Sequence, residues 1–298
     1  MARQATLAGS AENLPLGAAF ALLSFACLAT MSAFAKVAGD YAPTIVIVFF
    51  QNLVCLAFVA PVALRHGVQP MKTRRIPLHL FRAATGSAAW FALFLAISLM
   101  PLSNAVLLAY SAPLWMPVIA WIVSREKIGG RLWFGMILGF IGIVLVLQPS
   151  GTSFNIGALF AVGAAILLAL ALISVRRLST TEPTLRILFF YFLFSSVMVL
   201  PFALASWEPV STIGWVYLIA IGLCLLASQV FIILAYQQAS AVKLGPLIYS
   251  VIVFTALINW LVWSQTPTWL EIVGMACVIV GGIVAVARGD KMPVVASS

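Results

Sequence analysis

Charge is the scarcest property of this chain. Only 8% of its 298 residues are Asp, Glu, Lys or Arg, against about 25% in soluble globular domains. With 64% hydrophobic residues and a mean hydropathy of +1.16, a soluble or secreted domain is excluded. A disordered chain is excluded too, since disorder needs low hydrophobicity. Only seven residues are acidic, and no Asp or Glu sits well inside an apolar run, which disfavours a proton relay through a buried carboxylate. The two histidines, His66 and His79, are placed between the second and third runs with no buried base or nucleophile beside them. The four cysteines, Cys27, Cys55, Cys224 and Cys277, fall inside apolar runs without CxxC or metal spacing and read as buried thiols. No catalytic residue, metal site or cofactor is expected, and an enzyme is not.

Long apolar runs are what the chain does have. Ten of them, Leu16–Ala35, Thr44–Leu64, Leu78–Leu99, Ser103–Val123, Leu132–Leu147, Ile156–Val175, Leu185–Leu204, Thr212–Ala235, Leu244–Trp263 and Trp269–Ala287, approach the roughly 20 residues a bilayer-crossing helix needs. Their apolar character is continuous rather than alternating, which excludes a β-barrel. The fold class expected is an all-α polytopic membrane protein of ten transmembrane helices. The intervening loops are too short to fold as domains, so any function sits in the membrane body. The first run has no cationic start and no nearby cleavage site and reads as an uncleaved anchor.

Basic residues set the orientation. With the N-terminus placed in the cytoplasm, fifteen of the sixteen Lys and Arg residues fall on the inner side, and Lys36 alone falls outside. This is the positive-inside pattern of a multi-pass membrane protein, expected with both termini cytoplasmic. The net charge of +9 is spread over helix-flanking loops, which argues against a nucleic-acid partner and for anionic lipid at the cytoplasmic face.

The chain repeats itself. At a shift of 140, Pro43-Thr44 meets Pro183-Thr184, Phe49-Phe50 meets Phe189-Phe190 and Pro61 meets Pro201; at 139, Tyr110-Ser111 meets Tyr249-Ser250, Trp121 meets Trp260 and Gly142 meets Gly281. The expected organisation is a tail at 1–13, a five-helix repeat at 14–150, a second at 151–288 and a tail at 289–298. Five is odd, so the second repeat enters the membrane inverted. Inverted repeats are the architecture of alternating-access carriers, with the substrate site near the midplane between the halves.

The ten runs, the five-plus-five repeat, the passage Ala109-Tyr110-Ser111-Ala112-Pro113 and the Gly-rich closing runs of each half resemble the EamA branch of the drug/metabolite transporter superfamily, within it most the YddG-type exporters of aromatic and neutral amino acids. The resemblance implies ten helices around a central cavity lined by helices one, three, four, six, eight and nine, with five and ten peripheral. Two positions depart from the pattern: Gln51 stands where many relatives carry an Arg, and Ile252 replaces the second-half counterpart of Pro113. The first run also lacks the carboxylate with which small multidrug antiporters couple protons to cationic drugs.

Candidate substrate-binding residues follow from depth and helical phase. On helix three, Ser87, Trp90, Phe91, Phe94 and Ser98 share one face, and Trp90 and Phe94 suit stacking on a substrate ring. Tyr110 and Ser111 on helix four and their mates Tyr249 and Ser250 on helix nine are placed near the pseudo-axis. Ser24 on helix one and Gln229 on helix eight are polar groups in apolar runs, as is Asn259. Each has a plainer reading as core packing or interhelical glue. Pro113 and Pro117 break the hydrogen-bond ladder of helix four and are candidates for a hinge. Trp207, Trp215, Trp263 and Trp269 read as an interfacial belt. Gly135-x-x-x-Gly139, with Gly142, Gly274, Gly281 and Gly282, reads as small-residue faces for close helix contact. The expected function is uncoupled, facilitated export of neutral or aromatic amino acids by a monomer. The alternative is export of other small amphipathic metabolites or drugs, with proton coupling left open.

Overall fold

The computed structural model describes residues 13–65, 73–124, 130–147, 156–179, 181–238 and 244–286. Its regular structure is helical: α1 (Leu14–Ala38), α2 (Thr44–Arg65), α3 (Ile76–Leu99), α4 (Leu102–Ala109), α5 (Ala112–Ser124), α6 (Gly130–Leu147), α7 (Ile156–Ser179), α8 (Thr184–Ala205), α9 (Thr212–Gln238), a 3-10 turn at Gly245–Tyr249, α10 (Ser250–Trp263) and α11 (Trp269–Val286). α1 begins where the Asn13 side chain accepts a hydrogen bond from the Leu16 amide at 3.1 Å, satisfying one of the amide donors a helix start leaves open.

Ten uninterrupted spans were too many. Among the described residues six helices are long and apolar enough to cross a membrane singly, those within α1, α2, α3, α7, α8 and α9. The fourth run is divided between α4 and α5, and the ninth between the 3-10 turn and α10. Pro113 has no amide hydrogen to give the Ala109 carbonyl, and Ala109 is where α4 stops. The fifth and tenth runs hold α6 and α11, each described over 18 residues.

The helices pack in a pattern that repeats. α1 lies on α9 as α3 lies on α7; α2 lies on α9 as α3 lies on α8; α1 lies on α10 as α4 and α5 lie on α7. The remaining principal pairs, α2 with α8, α4 with α10 and α6 with α11, each join a run to the run five further along. Exchanging the two halves therefore maps the packing onto itself, as inverted-repeat packing does.

The polarity is that of a protein in lipid. Phe134, Phe202, Leu204 and Leu261 face outward, while Gln51, Asn52, Ser195, Thr255 and Asn259 are buried. In water the reverse arrangement would be favoured; in a bilayer the polar groups have only each other, the backbone or a cavity for partners. The glycine faces of α6 and α11 lie against each other. An ideal Cβ on Gly142 would stand 2.5 Å from the Gly274 carbonyl oxygen, and one on Gly281 would stand 2.6 Å from that of Gly135. These faces are spent within the chain.

Candidate functional site

The first Tyr-Ser step sits at the break between α4 and α5, and the second at the join where the 3-10 turn runs straight into α10. Tyr110 closes α4 with φ −82° and ψ 8°, and Ser111 turns its hydroxyl back to donate to the Leu108 carbonyl at 2.6 Å. Tyr249 ends the 3-10 turn and Ser250 opens α10. The repeat shift of 139 thus relates the two departures from regular α-helix, and α4 and α10 pack on each other. The second-half step is less satisfied than the first, for the Tyr249 hydroxyl and Ser250 Oγ are buried without a hydrogen-bond partner among the described residues. Pro113 and Pro117 lie in α5, with side chains outside the described residues.

On α3 the Trp90 and Phe94 rings meet at 5.7 Å between centroids, tilted by 44°. Ser87 is buried with its hydroxyl unpartnered. Phe91 is half-buried, and Ser98 is exposed and donates to the Leu95 carbonyl at 2.8 Å. Ser24 faces another helix: its hydroxyl lies 2.9 Å from Ser228 Oγ and donates to the Ser228 carbonyl at 2.9 Å, tying α1 to α9. Gln229, next along α9, is half-buried.

Sequence reasoning overlooked a second polar group. Gln51 is fully buried with both ends of its amide unpartnered among the described residues, and Asn52 beside it donates to the Val48 carbonyl at 2.7 Å while its own oxygen accepts from none of them. His79 is not a loop residue as expected; it lies inside α3, fully buried, its ring 5.0 Å from that of Phe190. His66 lies outside the described residues. Arg82 stands six residues into α3, about 9 Å along the axis, with its guanidinium 4.6 Å from the centroid of the Tyr191 ring. Its depth could have been counted from the start of the third run; its neighbour Tyr191, on another helix, could not.

Polar contacts tie the halves at both ends. At the basic end, Thr73 donates to Glu182 Oε1 at 2.6 Å, and Arg186 pairs with Glu182 Oε2 one turn away. Burial alone would raise the Glu182 carboxyl, but the hydrogen bonds from Thr73 and Arg186, with the Arg186 charge, outweigh it and hold the group below the usual glutamate range. A group depressed on folding contributes stability above its unfolded value and loses it as pH falls through the folded one. Wild type is therefore expected to melt above Glu182→Gln near neutral pH, with the gap closing below about pH 4. Thermal unfolding of both across pH checks this; a gap independent of pH would contradict it. At the other end, Asn104 donates to Glu271 Oε1 at 2.5 Å, and the Lys36 ammonium lies 4.5 Å from the Trp263 ring centroid. A cleft of about 450 Å³ between the loops at that end is lined by Asp40, Tyr41, Glu208 and Ser211. It is an open furrow remote from the unpartnered interior groups. Among the described residues no group of three or more His, Cys, Asp or Glu gathers for a metal.

Comparison with known proteins fits this architecture. The chain matches the EamA-like transporter family twice, over residues 15–148 and 155–287. It is 27% identical to the pseudopaline exporter CntI of Pseudomonas aeruginosa, over 94% of this chain and 99% of that one. It is 26% identical to a riboflavin transporter of Vibrio cholerae, over 86% of this chain and 87% of the other. It is also 26% identical to an S-adenosylmethionine uptake transporter of Rickettsia felis, over 78% and 77%. The named cargoes differ from one another. A solved crystal structure superposes with a TM-score of 0.61 at 20% identity, covering 93% of this chain and 98% of that one, which establishes the shared fold. With both halves matched and the packing symmetric between them, this chain, a transporter and not an enzyme, belongs to the EamA-like transporter family of the drug/metabolite transporter superfamily.

Proposed function

We propose that the protein is an alternating-access carrier that exports small amphipathic zwitterions, neutral and aromatic amino acids among them, down their gradient. The observation that carries this reading is that the matched Tyr110-Ser111 and Tyr249-Ser250 steps fall where each half leaves regular α geometry, between α4 and α5 and at the join of the 3-10 turn with α10. Irregular points at equivalent places of two repeats suit a substrate site near the midplane. The unpartnered hydroxyls of Ser87, Tyr249 and Ser250 supply hydrogen bonds, and the Trp90–Phe94 pair supplies an aromatic wall. The halves at 14–150 and 151–288 rock about this centre, with Pro113 and Pro117 as hinge. The basic end faces the cytoplasm and its anionic lipid, both termini lie there, and the carrier works as a monomer in the inner membrane. The varied cargoes of the relatives favour one second reading, a carrier of other small amphipathic metabolites on the same scaffold.

Flux of labelled phenylalanine, tryptophan and alanine into liposomes holding the purified protein, with no imposed proton gradient, tests this reading. Flux is expected in wild type and to fall about tenfold in Trp90→Ala and Tyr110→Ala, the loss of roughly one good aromatic or hydrogen-bond contact. Flux only after a pH step would refute uncoupled transport. No amino-acid flux under either condition would leave the second reading.

A further inference from the structure

We infer that Arg82, seated on Tyr191, is a binding station for a carboxylate, and that the transported molecule carries one. The inference rests on the carrier reading and narrows its substrate class.

Arg82, Gly86, Trp90 and Phe94 recur every four residues and so form one stripe of α3. Tyr191, from α8 in the other half, crosses that stripe. Its ring passes so close to Gly86 that a Cβ there would stand 2.7 Å from Tyr191 Cε2. Only glycine leaves room for the ring. Arg82 covers one part of it at 4.6 Å, and Trp90, one turn beyond Gly86 on the same stripe, pairs with Phe94. One cation, one tyrosine and the aromatic pair therefore lie along one stripe that both halves help to build.

The guanidinium lacks an anion. Its Nε and Nη1 are buried and donate to nothing among the described residues. Glu182, the carboxylate near this end, uses Oε1 for Thr73 and Oε2 for Arg186. His79, one turn earlier on α3, has no negative charge with which to balance the cation. The plainest alternative is a snorkelling arginine reaching for headgroups, yet these nitrogens are closed in against Tyr191. A ring face offsets only part of the desolvation of a buried cation. An anion that arrives and leaves with each cycle supplies the rest. Arginine's planar fork matches a carboxylate bidentately, and Trp90 lies about one turn, roughly 5.4 Å, beyond the Gly86 level where Tyr191 crosses. That spacing suits a molecule with a carboxylate at one end and an apolar or aromatic body at the other.

The test uses the full-length protein in nanodiscs of zwitterionic lipid and reads the thermal shift given by L-phenylalanine, 3-phenylpropanoate, L-phenylalaninamide and 2-phenylethylamine. The two carboxylates are expected to stabilise wild type and the two amines not to. In Arg82→Gln the half-saturating carboxylate concentration is expected to rise at least about tenfold. Ligand-free Arg82→Gln is expected to melt at or above wild type, because it removes an unbalanced buried charge. Arg82→Lys, which keeps the charge and loses the fork, is expected to fall between, and it carries the test if the glutamine variant fails to fold. Equal carboxylate response in wild type and variants would overturn the inference and leave Arg82 a structural cation. So would no response to any carboxylate, or a response only to anionic phosphatidylglycerol in the disc. Binding of 3-phenylpropanoate through Arg82 without any phenylalanine response would uphold the station and refute the amino-acid reading, which separates the two.

Discussion

Gly142→Leu is expected to yield no monodisperse folded protein, and Gly142→Ala to lower the apparent melting temperature by about 5 °C. The reason is what lies opposite. A Cβ at 142 would meet the Gly274 carbonyl oxygen at 2.5 Å and the Val278 amide nitrogen at 2.8 Å. Both are backbone and cannot swing aside as a side chain would. One methyl forces α6 and α11 apart, and in lipid the close packing of helix backbones is itself a main source of association. Gly281→Leu is expected to behave alike, since its Cβ would meet the Gly135 oxygen at 2.6 Å and the Gly139 nitrogen at 2.7 Å. Gly163→Ala is the control. Nothing lies within 4 Å of its Cβ, so the added methyl is expected to stabilise α7 by up to about 1 kcal/mol through backbone entropy and helix propensity. Size-exclusion chromatography and thermal unfolding in detergent read all four. A wild-type profile for Gly142→Leu would show that α6 and α11 do not meet here.

Glu271→Ala is expected to destabilise by about 2–3 kcal/mol, because one carboxylate serves two structures. Its Oε2 accepts from the Thr268 amide at 2.7 Å while its own amide donates to Thr268 Oγ1 at 3.3 Å. That is a reciprocal capping box at the start of α11. Its Oε1 accepts from Asn104 at 2.5 Å, joining the first half to the second. Glu271→Gln retains an acceptor for the cap and is expected to lose less. A double-mutant cycle of Asn104→Ala and Glu271→Ala in thermal unfolding isolates the tie between the halves. Strict additivity would mean that the two side chains do not act together.

The capping box was legible: Thr268-x-x-Glu271 ahead of an apolar run is its sequence form. The glycine faces were read correctly as close-contact surfaces, since small residues spaced along one helix face have few other uses in lipid. Ser24 was a different matter. A serine in an apolar helix either lines a cavity or bonds a neighbour, and only the position of Ser228 on α9 shows that its hydroxyl is engaged there. His79 was misplaced, and the surroundings of Arg82 were unread, for the same reason. Their distance from the helix start was countable, but the residues that cover them, Tyr191 and Phe190, come from the other half.

By itself the sequence determined what depends on local composition and on counting: that the chain is helical and lives in lipid, that it is a duplication, which end of it is basic, and where α6 and α11 are smooth enough to touch. These follow from hydropathy over about 20 residues, from charge placement and from residue size, none of which needs a neighbour's coordinates. The tertiary structure alone decided how many runs are single helices, that both departures from regular α-helix fall at the Tyr-Ser steps, which hydroxyls are engaged and which are orphaned, and that a half-buried arginine lies over a ring from the opposite half. Each of these is a relation between side chains from distant parts of the chain. In a membrane interior, where water cannot satisfy what the protein leaves unpaired, such relations decide which polar groups hold the fold and which are left for a substrate.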